Sequence, residues 1–165
     1  VSDTDGRRIG IRPFDRDMIK NHLDRAELVA TIDEDGDYRV DFQAAQEGAP
    51  ELSFWLSAEG TNEDIFVIRC VTNLAVDKTL WPQAVMACNQ WNTEKRYPKA
   101  YLWVGNDPES LFGQIRLEAQ FPVGAGVIQP LIDDWIATVF GTSFGFWDWI
   151  AESGLLSGAG EIPND

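Results

Sequence analysis

The sequence predicts an α+β domain: an antiparallel sheet of five to six strands with helices packed on it, in the order α-β-β-β-β-α-β-β-α. Three observations lead there. Apolar residues recur at helical spacing in three separated stretches, the period shortens to two between them, and successive strand-like runs are joined by short turns. Strands joined through tight turns pair antiparallel, and no β-α-β alternation of the dinucleotide-binding kind is present.

The first helix follows Pro13, with Asp15 as its N-cap and Met18, Ile19, His22 and Leu23, then Ala26, at helical spacing. A hairpin comes next: Val29 to Ile32 and Tyr38 to Phe42 flank an acidic turn with the Asp35-Gly36 signal. Tyr38, Val40 and Phe42 share one face of their strand, and Arg39 and Asp41 share the other, wet one. A second hairpin joins Leu52 to Leu56 with Ile65 to Val71. From Leu80 the period lengthens, placing Trp81, Ala84, Val85, Cys88 and Trp91 on one helical stripe, with Thr79 or Asp77 as the cap. Ala100 to Val104 and Gln114 to Phe121 read as a third hairpin. Ile128, Leu131, Ile132, Trp135, Ile136 and Val139 form a last helical face, which Gly141 is expected to interrupt before the aromatic piece from Phe144 to Ile150. Residues 1–12 read as a loose N-terminal segment, 13–152 as one domain and 153–165 as a flexible tail.

Composition excludes several classes of function. At 165 residues with 44% apolar and 12% aromatic content, the chain has material for one sizeable core. A net charge of −14 argues against nonspecific attraction to nucleic acid or to an anionic membrane. No apolar run approaches the ~20 residues of a membrane span, and no signal peptide is visible. Two cysteines, Cys70 and Cys88, fit a reducing cytoplasm better than a disulfide scaffold.

Candidate chemistry is sparse. His22 is the sole histidine, with no ligand partner nearby in sequence, and reads as an ordinary helix residue. Asp33, Asp35 and Asp37 alternate as in a calcium loop, but the sixth position is Tyr38 instead of glycine and the twelfth is Ala44 instead of glutamate. Gly124-Ala125-Gly126 lacks the lysine of a phosphate loop and the third glycine of a dinucleotide fingerprint, so it reads as a strand-to-helix turn. Cys70 and Cys88 lie on apolar faces and read as small buried hydrophobes. We therefore expect no catalytic residue, metal site or cofactor.

The informative stretch runs from Cys88 to Leu102. Asn89 and Asn92, three apart, place two amides near one face at the end of the second helix, suited to tying helix to strand. Trp91 anchors the helix, and Pro98 restarts the chain in extended form before Lys99 and Tyr101. This pattern of Asn89, Trp91, Asn92, Pro98, Lys99 and Tyr101 resembles the signature of the YbjN-domain family, its actinobacterial branch most closely, over about residues 15–152. The resemblance implies a fold like that of type III secretion chaperones, a regulatory or sensory-transduction role without catalysis, and a homodimer. Phe144, Phe146, Trp147 and Trp149 are the candidate partner or dimer contact. The expected function is a non-catalytic, cytoplasmic protein-binding domain. The alternative is a small acidic hydrolase or ligand-binding enzyme, which would show a cavity with two inward carboxyls of raised pKa.

Overall fold

The computed structural model describes residues 10–44, 49–107 and 109–156; the outer parts of the expected N-terminal segment and tail lie outside these. Helix α1 (Arg16–Arg25) is followed by strands β1 (Thr31–Ile32), β2 (Tyr38–Phe42), β3 (Leu52–Glu59), β4 (Ile65–Thr72) and β5 (Val76–Asp77). A 3-10 turn (Lys78–Leu80) leads into α2 (Trp81–Glu94), then β6 (Lys99–Trp103), β7 (Phe112–Pro122) and α3 (Gln129–Ala151). Among the described residues the sheet is antiparallel throughout and has seven strands, in the order β1-β2-β3-β4-β7-β5, with β6 on the other side of β7. The expected five to six strands fell short because β5 is only two residues long, too short to show an alternation.

Asp15 caps α1, its carboxylate accepting from the Met18 amide at 3.1 Å, and the helix buries Met18, Ile19 and Leu23. The β1–β2 turn is built by Asp33, whose side chain accepts from the amides of Asp35 and Asp37 while Gly36 takes a positive φ of 83°. β1 itself is shorter than expected, because Val29 is 87% exposed and contributes nothing to burial there. At the β7–α3 turn Gly126 has φ 88°, and a Cβ on it would come within 2.8 Å of Ile11 Cγ2 and 3.0 Å of the Arg12 carbonyl. Only glycine fits that approach. Arg12 pairs there with Val127, and Leu155 is buried at the other end of the chain.

One face of the sheet carries the core. Phe54, Phe66, Leu56, Ile68, Ile115 and Leu117 point into it and are fully enclosed. Phe140 of α3 lies on Phe54 with ring centroids 4.0 Å apart, and Trp135 stacks on Phe121 at 4.3 Å with planes only 8° apart. Gly141 does not interrupt this helix. α3 runs unbroken through it because Ile132, Ile136, Val139, Phe140, Phe146, Trp147 and Ile150 hold one continuous buried face, which offsets the ~1 kcal/mol that a mid-helix glycine costs. Val85 leaves its expected stripe: Ala84, Cys88 and Trp91 are buried, whereas Val85 is 53% exposed on the outer side of α2.

Candidate binding surface

The signature stretch is a joint between α2 and β6. The Asn92 side chain donates to the Ala100 carbonyl at 2.9 Å and accepts from the Ala100 amide at 2.8 Å. Trp91 Nε1 donates to the Pro98 carbonyl at 3.0 Å. These bonds occupy the side of β6 that faces away from β7, so the helix end serves as the neighbour that this edge strand lacks. Asn89 is not part of the joint; one turn earlier on α2, it is exposed to solvent.

The alternation of β6 sends its other signature residues to the opposite face of the sheet. Lys99 is exposed there, and Tyr101 donates to Glu118 at 3.3 Å. Register places Arg39, Trp55, Arg69, Glu118 and Lys99 in one cross-strand row over β2, β3, β4, β7 and β6. Arg39 stacks over Trp55 at 5.3 Å and Arg116 over Trp103 at 4.8 Å, while Arg69 pairs with Glu118 at 2.8 Å. Among the described residues no acceptor reaches the buried Trp103 indole N–H. A cleft of about 330 Å³ crosses this face, lined by Trp55, Arg69 and Arg116 towards one end and by Asp33, Asp37 and Glu59 towards the other.

The carboxyls of the cleft are occupied by structural work. Burial pushes the Asp37 carboxyl above the usual range, opposed by the Ala58 amide and the Arg16 guanidinium that both donate to it. Asp37 thereby clamps the hairpin to α1, and Arg16 also reaches Glu63 at 2.7 Å. Glu59 accepts from Ser57, and Asp33 holds the turn. His22 has a partner that its sequence neighbourhood does not show. Its Nδ1 lies 3.2 Å from Asp133, which also accepts from Arg25 and Gln129, joining α1 to α3. Among the described residues no group of three or more His, Cys, Asp or Glu side chains is placed to hold a metal ion. Burial pushes the Cys70 thiol up to about 12 and the Cys88 thiol up to about 11, the environment of inert core thiols.

The four aromatics expected to form a partner contact separate. Phe146 and Trp147 are enclosed in the core, because positions 143, 146, 147 and 150 make up the buried face of α3. Trp147 Nε1 donates to Cys70 Sγ at 3.3 Å. Phe144 keeps 37% of its surface exposed and packs edge-on against Phe42 at 5.1 Å. Trp149 is half-buried and stacks on Trp91 at 6.0 Å, with Phe146 edge-on to both.

What the residue pattern alone did not single out is the outer face of α2. Pro82, Gln83, Val85, Met86, Asn89, Gln90 and Thr93 are all exposed there, and none is charged. Met86 is 72% exposed. Between the ends of α2 and α3 lies a slot of about 260 Å³ lined by Gln90, Trp91, Glu94, Lys95, Gly145 and Trp149. Lys95 Nζ stands 5.7 Å above the Trp91 ring. No helix among the described residues is long and apolar enough to cross a membrane.

The geometry agrees with what comparison with known proteins finds. No curated protein matches the chain. A crystal structure of YbjN from E. coli, described as "a putative transcription regulator", superimposes with a TM-score of 0.70 over 90% of this chain and 99% of that one. At 9% identity that likeness concerns the fold alone. The family model described as "Putative bacterial sensory transduction regulator" matches residues 15–152, which take in all three helices and the whole sheet, and the chain therefore belongs to the YbjN family.

Proposed function

We propose that this domain is a non-catalytic, cytoplasmic regulator that works by holding a protein partner, with α2 as the contact element. The observation that carries the reading is the outer face of α2. A helix surface from Pro82 to Thr93 with no charge, bearing exposed Val85 and Met86, stands out on a chain in which 24% of residues are charged. Hydrophobic side chains scattered singly on a surface need no explanation, but an uncharged helix face on so acidic a molecule is depleted in the manner of an interface core. The joint made by Trp91 and Asn92 fixes this helix to β6, so it meets a partner already in place. The family description as a regulator supports the same reading. The hydrolase alternative loses ground because the one cleft carboxyl raised by burial, Asp37, is already bonded by Arg16 and Ala58.

The test is site-specific photo-crosslinking from cells, with the photoreactive residue at Met86, at Gln90 or, as a control on another face, at Asp24. Defined protein adducts from Met86 and Gln90 that are missing from Asp24 are expected. Equal adduct patterns from all three positions, or none from α2, would overturn the proposal.

A further inference from the structure

We infer that the edge formed by α2 and β6 docks an acidic protein segment whose bulky apolar side chain enters the slot beside the stacked Trp91–Trp149 pair. The inference rests on the protein-contact reading above and adds the chemistry of the partner.

Charge is segregated along this chain. Residues 78–106, which make up the 3-10 turn, α2 and β6, hold four cations (Lys78, Lys95, Arg96 and Lys99) against one carboxylate, Glu94. The remaining 136 residues hold nine cations against 26 carboxylates. This segment is thus net positive on a molecule that is otherwise strongly negative, and three of its four cations, Lys95, Arg96 and Lys99, fall within five residues at the turn from α2 into β6. Among the described residues no carboxylate forms an ion pair with Lys95, Arg96 or Lys99. Glu118 stands opposite Lys99 in the register but is taken by Arg69 and Tyr101. An acidic segment is repelled by the rest of the surface and attracted here, which selects both the partner and its landing place.

The slot supplies what charge does not. Its volume of about 260 Å³ falls just below the ~300–1,000 Å³ of sites for whole small-molecule ligands, and so suits one bulky side chain. The stacked Trp91–Trp149 pair, with the Phe146 edge against both rings, forms its apolar wall, and Gln90, Glu94 and Lys95 form its polar side. Gly145 leaves its entrance open, since nothing lies within 4 Å of where a Cβ would stand. An aromatic or large aliphatic anchor lies there against the rings, while flanking carboxylates reach Lys95, which lines the slot, and the exposed Arg96 that follows it in the chain. That combination, an apolar anchor in a pocket with opposite charges around it, is the usual form of an interface hot spot.

Fluorescence anisotropy on the full chain tests this with three labelled peptides of about twelve residues, at low and at physiological salt. One is acidic with a central Phe, one is acidic without it, and one is basic with the same Phe. Two variants accompany the parent: Lys95→Glu with Arg96→Glu, which reverses the charge just past the end of α2, and Gly145→Leu, which fills the slot on a helix that tolerates leucine. Circular dichroism checks that both fold.

We expect the acidic Phe peptide to bind the parent best and to weaken with salt. Charge reversal should weaken it about tenfold. Gly145→Leu should weaken it about fivefold or more and leave the Phe-less peptide unaffected. Equal binding of the basic peptide, no binding of the acidic one at low salt, or parent-like binding by either variant would overturn the inference. Self-association abolished by the charge reversal, with no peptide bound, would assign the edge to a second copy and also overturn it. If Met86 and Gln90 still crosslink to protein while the peptides fail, only the partner's chemistry is wrong; if both fail, the protein-contact reading falls as well.

Discussion

The Asn92 side chain bonds both main-chain groups of Ala100, as the backbone of a neighbouring strand would. Edge strands expose such groups to chance pairing, and here an amide of the helix covers them. Replacing Asn92 with Ala leaves a donor and an acceptor without their partner. The expected loss is about 1–3 kcal/mol of stability. Asn92→Asp keeps the acceptor and loses the donor, so it should fall between the two. Thermal unfolding measures both, and hydrogen exchange at the Ala100 amide should quicken first. A variant that melts with the parent and keeps that amide protected would show that the joint contributes no stability.

Gly141 is tolerated in α3, not required. It lies mid-helix with open space where a Cβ would stand, and its φ is not in the left-handed region. Gly141→Ala should therefore stabilise the protein by about 0.5–1 kcal/mol through helix propensity alone. A drop in the urea midpoint would mean that the bare surface at Gly141 is needed for packing against something else.

Local patterning in the sequence carried much of the fold. The Asp15 cap, the Asp35-Gly36 turn, the alternation of Tyr38, Val40 and Phe42, and the period of α2 and α3 are all short-range signals, and each element formed near its expected place. What failed were cases decided by tertiary contact. Gly141 reads as a break until the continuous buried face beneath it is seen, and Val85 reads as core until α2 is docked on β6. His22 and Asp133 are 111 residues apart, so nothing local joins them. The slot needs Trp91 and Trp149 from two helices and was equally hidden. The positive segment from Lys78 to Asn106, by contrast, is readable directly from the order of charges.

Assembly can be tested at Phe144, the candidate contact aromatic that keeps the most surface free. The homodimer that the family resemblance implies should appear in sedimentation at micromolar concentration. Phe144→Gln should raise the dissociation constant about tenfold, as expected for truncating a central apolar contact. Its packing on Phe42 makes a small stability loss unavoidable, so the oligomer must be measured well below the melting transition. A parent that stays monomeric up to millimolar concentration would overturn that expectation.

Alkaline pH offers a reading of the core itself. Burial raises the Cys70 thiol from 9.0 to about 12, partly opposed by the Trp147 N–H that donates to its sulfur. The thiol of Cys88 rises from 9.0 to about 11, again chiefly through burial. Below pH 9 both thiols are neutral in the folded and unfolded chain, and their contribution is fully present. Above it the unfolded chain releases these protons while the folded one retains them, so stability falls with rising pH by about 1.4 kcal/mol per unit for each thiol. The loss from Cys88 levels off near pH 11 and that from Cys70 near pH 12. Cys70→Ala should be less stable than the parent at neutral pH, because it removes a buried sulfur and the acceptor for Trp147. Its slope between pH 9 and 10.5 should nonetheless be shallower than the parent's, since the Cys70 share is gone while Cys88 and the phenols of Tyr38 and Tyr101, which burial also raises, still titrate. Urea midpoints across that range give both slopes. Parallel curves for the two proteins would mean that the Cys70 site admits solvent, and that the sulfur does not sit in the sealed core which Phe54, Trp147 and Leu117 define.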